Sequence, residues 1–188
     1  MGRRNIDRAG LEAFLTRLGS AFVRPGRLWL VGATTQVYEG WHECTPRLEF
    51  AAEAAPDDRG ALVEAVRYLQ TQMGIEVLEE SPGDVIPMPA GHEARARFVA
   101  LLGELRVYHF DPYSVAFRLI ARGDEPDYHA VITFFHHGWL IVDEMNALLT
   151  DLLPQFTNET IQQDPAEFRR KYKGLLQMWR AVQPEAAR

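Results

Sequence analysis

Leu28-Trp29-Leu30-Val31-Gly32 is an apolar run that ends in glycine, and Arg47-Leu48-Glu49-Phe50 is the alternating run that follows it. The first pattern is typical of a buried strand, and the second of a strand with polar residues on one face. Between them, residues 33–41 suffice for a helix of about two turns. A strand that enters a helix through glycine points free backbone N–H groups at the space above it. This junction is therefore a candidate phosphate site.

Working outward, the periodicity predicts further helices and strands on both sides of this stretch. In chain order they are a helix over residues 11–22, the strand 28–31, the helix 33–41, the strand 47–52, a helix from Pro56 to Gly74, the strand 75–78, a proline-rich loop over 81–91 and the strand 105–109. Asp111-Pro112 then begins a helix that ends at Gly123, and only helices follow. This order predicts an α+β (α/β) fold, with a mixed sheet flanked by helices and a C-terminal helical region. We expect residues 1–110 to form the α/β core and residues 111–188 to pack on it as helices, in a single compact unit.

Composition narrows the class of protein. The 188 residues are 47% hydrophobic and 24% charged, and the net charge of −6 argues against a broadly basic nucleic-acid surface. Cys44 is the single cysteine, so we expect no disulfides and interpret Cys44 as a small packed residue near a helix end. No apolar segment approaches the length of a membrane span, and the amino terminus has no secretory pattern. These features predict a cytoplasmic protein without a membrane partner.

Several short motifs carry a resemblance to a known family. They are Leu28-Trp29-Leu30-Val31-Gly32, Gly40-Trp41, the loop Ser81-Pro82-Gly83-Asp84 with Ile86-Pro87, and Tyr108-His109-Phe110-Asp111-Pro112-Tyr113-Ser114. In this order they resemble a bacterial family of nucleotidyltransferase-like proteins. Its relatives include the minimal nucleotidyltransferases and the toxins of abortive-infection toxin–antitoxin pairs. The resemblance covers most of the chain, from about residue 10 to residue 155.

The resemblance implies a site at the Gly32 junction. In that superfamily the glycine and a second small residue open a helix beneath a nucleoside triphosphate, and the next strand offers two carboxylates for magnesium. Residues two apart on a strand share a face, so both carboxylates can hold metal while a third completes the set. By resemblance, Gly32, Ala33 and Thr34 bind nucleotide, and Glu49 is the second carboxylate, with catalytic and metal-binding roles. Arg47 stands in the place of the first carboxylate, and Asp111 or Glu104 is the candidate third.

A guanidinium at a metal position should weaken the chemistry. Its repulsion of divalent cations is worth on the order of several kcal/mol at an intermediate dielectric, so we expect no magnesium, or only weak magnesium with a nucleoside triphosphate. Arg106, if it also faces the site, would join Arg47 and Glu49 in a cluster that either binds phosphate without metal or is a salt-bridge network in place of an active site. Arg118 and Arg122 by resemblance frame a nucleotide cleft, and otherwise form the polar face of a helix.

The leading expectation is a protein of nucleotidyltransferase fold, impaired as an enzyme, with weak or no nucleotidyl transfer. One alternative is an active, toxin-like nucleotidyltransferase that transfers a nucleoside monophosphate to tRNA or protein. The other is a non-catalytic regulatory protein that binds a nucleotide or a partner. Candidate partners are therefore a nucleotide, an antitoxin or another protein, and a second copy of the chain through the final helix.

Overall fold

The computed structural model describes residues 5–157 and 163–183, which form two compact units. The first unit comprises residues 5–81 and 95–110, and the second comprises residues 82–94 together with the described residues from 111 onward. The first unit therefore ends at Phe110, as the expected core does. The loop at 82–94, which the sequence analysis assigned to the α/β core, belongs to the second unit.

The first unit is built on a five-stranded mixed sheet with strand order β5-β4-β2-β7-β6. β2 pairs antiparallel with β4 and parallel with β7, β4 pairs parallel with β5, and β6 pairs antiparallel with β7. A separate two-stranded ribbon joins β1 to β3. The elements of this unit are β1 (Ile6–Asp7), α1 (Arg8–Ala21), β2 (Gly26–Leu30), α2 (Ala33–Tyr38), β3 (Cys44–Thr45), β4 (Arg47–Ala54), α3 (Pro56–Met73), β5 (Glu76–Glu79), β6 (Arg97–Leu102) and β7 (Leu105–His109).

Alternation along the central strands places one face of the sheet in the hydrophobic core. Leu28 and Leu30 on β2 point into the same core as Val107 on β7, and all three are buried. Helix α1 contributes residues at helical spacing to this core, which are Leu11, Phe14, Leu15, Leu18 and Phe22. Burial of such apolar side chains is the dominant favourable term in folding, so this layer fixes where β2 ends and α2 begins.

The second unit is helical. Its elements are α4 (His92–Arg95), whose last residue falls in the first unit, α5 (Pro112–Arg122), α6 (Glu125–His136), α7 (Val142–Leu152) and α8 (Pro165–Val182), with short 3-10 turns at Pro82–Asp84 and Leu153–Thr157. Helix α5 is buried along its whole length. Phe168 of α8 packs against Phe117 of α5, with ring centroids 6.2 Å apart. None of the helices described is long and apolar enough to cross a membrane.

The expected fold class is confirmed: a mixed sheet flanked by helices, with a C-terminal helical region. Two expectations were wrong. Strand β6 was not predicted, because a bulge between Phe98 and Ala100 breaks the alternation that marks a strand. Cys44 does not pack near a helix end; its side chain is exposed on β3.

Candidate functional site

The junction after β2 requires glycine for two reasons. Gly32 has φ 56° and ψ −126°, a conformation that residues with a side chain rarely adopt. A Cβ atom at Gly32 would lie 2.9 Å from Oε2 of Glu49, which is closer than real contacts allow. Val31 donates its N–H to the carbonyl of Glu49 at 3.1 Å, and this bond holds β4 beside the turn. The structure thus brings Gly32 and Glu49 together, as the sequence predicted.

Arg47 and Glu49 lie on the same face of β4 and form an ion pair. Nε of Arg47 donates to Oε1 of Glu49 at 3.0 Å. The side chain of Glu49 is 9% exposed and that of Arg47 is 38% exposed, so the carboxylate is the more deeply buried partner. One oxygen of Glu49 is bound to the guanidinium, and the other faces the backbone of Gly32.

The first residues of α2 support β4. Thr34 is buried, and its hydroxyl accepts a hydrogen bond from the N–H of Glu49 at 2.6 Å. Ala33 is half-buried at the first position of this six-residue helix. Of the three residues expected to bind nucleotide here, Thr34 therefore has a clear contact of its own, and that contact positions Glu49.

Arg106 lies away from this junction. In the parallel pairing of β2 with β7, Arg106 is the neighbour of Arg27, and the residue beside Leu30 is His109. Strand residues rise about 3.3 Å each, so three positions separate Arg106 from the end of β2 by roughly 10 Å. The expected cluster of Arg47, Glu49 and Arg106 is not formed, because the strand register carries Arg106 to the other end of the sheet.

His109 takes the place beside Leu30, which sequence reasoning missed. It is 3% exposed; its Nε2 lies 2.9 Å from Oε1 of Glu39 and its Nδ1 lies 3.3 Å from Oγ1 of Thr35. Burial lowers the pKa of His109 below its usual value; Glu39 opposes that shift and Arg97 adds to it. A neutral imidazole that donates from Nε2 to Glu39 agrees with this direction. No local signal could reveal a pair 70 residues apart in sequence.

The remaining predicted site residues lie in the second unit. Asp111 is 1% exposed and caps α5, accepting from the N–H groups of Tyr113 and Ser114 at 3.3 Å each and from the Ser114 hydroxyl at 2.7 Å. Its carboxylate is thus engaged in the capping role that the Asp-Pro motif favours. Arg118 is fully buried in the middle of α5.

Arg122 is engaged with an acid at the start of α6. Its Nε and Nη2 donate to the two carboxylate oxygens of Asp127 at 3.0 and 2.6 Å. This fork-to-fork geometry is among the stronger forms of ion pair. Arg122 therefore joins α5 to α6, a role that the sequence reading allowed alongside nucleotide binding.

No family profile, curated protein or solved structure matches this chain. Function must therefore be inferred from the residues and their geometry. Within residues 5–157 and 163–183, no group of three or more His, Cys, Asp and Glu side chains is arranged to hold a metal ion. The arrangement at Gly32 offers one buried carboxylate, already paired with a cation.

Proposed function

We propose that this protein has the nucleotidyltransferase fold and that its metal-dependent nucleotidyl transfer is weak or lost. The observation that carries the proposal is the ion pair between Arg47 and Glu49, directly beside the glycine that opens α2. The strand, glycine, short helix and antiparallel strand have the order that this fold requires for its site. Arg47 occupies the position where transfer would need a carboxylate.

The residues present do not suit magnesium with a nucleoside triphosphate. Magnesium takes oxygen ligands and is bound through carboxylates that retain their negative charge. Glu49 shares one oxygen with Arg47, and the guanidinium adds a positive charge where the cation would lie. Asp111 uses its carboxylate oxygens on three donors at the start of α5. Both acids named from the resemblance are thus committed to structural contacts.

The experiment is a calorimetric titration of the protein with magnesium and ATP, together and separately. We expect no tight magnesium-dependent binding in the wild type. Arg47→Asp, which removes the cation and adds a carboxylate two residues from Glu49, is expected to gain affinity for magnesium. Arg24→Asp, at another arginine that is ion-paired to an acid, is the matched control and should gain none.

Two results would contradict this proposal. One is tight binding of magnesium and ATP by the wild type that disappears in Glu49→Ala. The other is transfer of label from a nucleoside triphosphate to RNA or protein in a cell extract, dependent on Glu49. The second result would favour the toxin-like enzyme instead.

A further inference from the structure

The sheet of the first unit presents a row of three aromatic rings on the face opposite its hydrophobic core. Trp29 lies between the core residues Leu28 and Leu30 and therefore points the other way. Its neighbour on β7 is Tyr108, whose neighbour on β6 is Phe98. The Trp29 and Tyr108 rings are stacked with centroids 6.2 Å apart, and Phe98 meets Tyr108 edge-on at 5.6 Å. We call these three residues the aromatic row.

The aromatic row is accessible at its β6 end. Phe98 is 62% exposed and Leu101, on the same strand, is 60% exposed. Trp29 and Tyr108 are half-buried. Exposed aromatic and aliphatic side chains that adjoin one another on a sheet mark an interaction surface more often than scattered single residues do.

Two arginines lie beside the aromatic row. Arg27 and Arg106 are direct neighbours on β2 and β7, two positions before Trp29 and Tyr108, and so share their face. Like charges side by side on a sheet are destabilising unless something compensates them. Glu53 is 3.7 Å from Arg27, but both side chains are more than half exposed, so this pair is weak.

The two arginines also line a cavity of about 600 Å³ at this end of the sheet. Glu53 and Glu104 line it as well, so its rim carries acids beside the two arginines. A ligand with two or so negative groups fits this balance better than a long polyanion, which the acids would repel.

We propose that this face binds single-stranded nucleic acid. Bases stack on the aromatic row, and two phosphates of the backbone bind Arg27 and Arg106. Aromatic rings accept any base, because each base has a π face, and arginine forks match phosphate oxygens. The charge of the arginines selects this occupant over an apolar protein segment. The inference goes beyond the proposed function and requires neither metal nor nucleotide transfer.

The test is fluorescence anisotropy of a labelled oligouridylate of about eight nucleotides in buffer with EDTA, with oligodeoxythymidylate as a second arm. We expect both single strands to bind and a duplex of the same length to bind more weakly. Phe98→Ala should weaken binding about 10-fold, the loss of one stacked base. Arg27→Gln with Arg106→Gln should reduce the slope of log affinity against log salt by about 1.4, since each phosphate contact on a single strand contributes about 0.7.

The matched control is Arg67→Gln with Tyr68→Ala, which removes an arginine and a 61% exposed aromatic ring from α3. It should bind as the wild type does. Trp29 supplies a second readout: oligouridylate should quench wild-type tryptophan fluorescence, and the quenching should be lost in Trp29→Phe. Circular dichroism of each variant verifies that it folds.

Three outcomes would overturn the proposal. The wild type fails to bind either single strand, or Phe98→Ala and the control bind equally well. In the third, sedimentation shows that Phe98→Ala dissociates a dimer while oligonucleotide affinity is unchanged, which would make this face a contact between copies. Because binding is measured without metal, these failures are separate from any failure of the magnesium titration.

Discussion

Replacing Gly32 with alanine tests the geometry of the candidate site. The positive φ of Gly32 costs a residue with a side chain about 1–3 kcal/mol. The new methyl group would lie 2.9 Å from Oε2 of Glu49 and displace that carboxylate from Arg47. Because Arg47 is 38% exposed, we assign about 1–2 kcal/mol to that loss. We therefore expect the free energy of unfolding to fall by about 2–5 kcal/mol, measured by urea denaturation.

A double-mutant cycle separates the two contributions. In a Glu49→Ala background the clash is gone, so the same Gly32→Ala change should cost only the backbone contribution. Gly60→Ala on α3 is the control, because its Cβ would meet nothing within 4 Å and helical alanine gains about 0.5–1 kcal/mol over glycine. A cost below about 1 kcal/mol, or an equal cost in both backgrounds, would refute the reasoning.

Three further predictions concern the contacts around the two units. Burial lowers the pKa of His109 below 6.5, so the unfolded chain protonates first and stability falls as pH drops below about 6.5; His109→Gln should flatten this dependence in urea titrations, and an unchanged slope would count against it. Asp111→Ala should lower the free energy of unfolding by about 1–2 kcal/mol and Asp111→Asn by less; equal losses would exclude the capping role. Alanine variants of Arg122 and Asp127 should show a coupling of about 1–3 kcal/mol, and strict additivity would contradict the bidentate pair.

Local patterns predicted much of the fold. The strand at β2, the glycine after it, and the alternation of β4 follow from residues within a few positions of one another. Gly74 and Gly123 end α3 and α5 in the left-handed conformation, as their place after a run of helical spacing indicates. The pairing of Arg47 with Glu49 also lies within this range, because residues two apart on a strand share a face.

What the sequence could not give depends on contacts between distant segments. The position of Arg106 is set by the register between β2 and β7, almost 80 residues apart, and no local pattern encodes that register. The contact of His109 with Glu39 depends on the same register. Asp111 presented two roles in the sequence, cap and catalyst, and its three hydrogen-bond donors were visible only in the structure.

The most direct test of the central claim is a crystal structure of the protein grown with magnesium and a non-hydrolysable ATP analogue. Our account predicts that Nε of Arg47 remains on the Glu49 carboxylate and that no cation binds there. A magnesium ion coordinated by Glu49 and two further carboxylates, with Arg47 turned away from them, would contradict it.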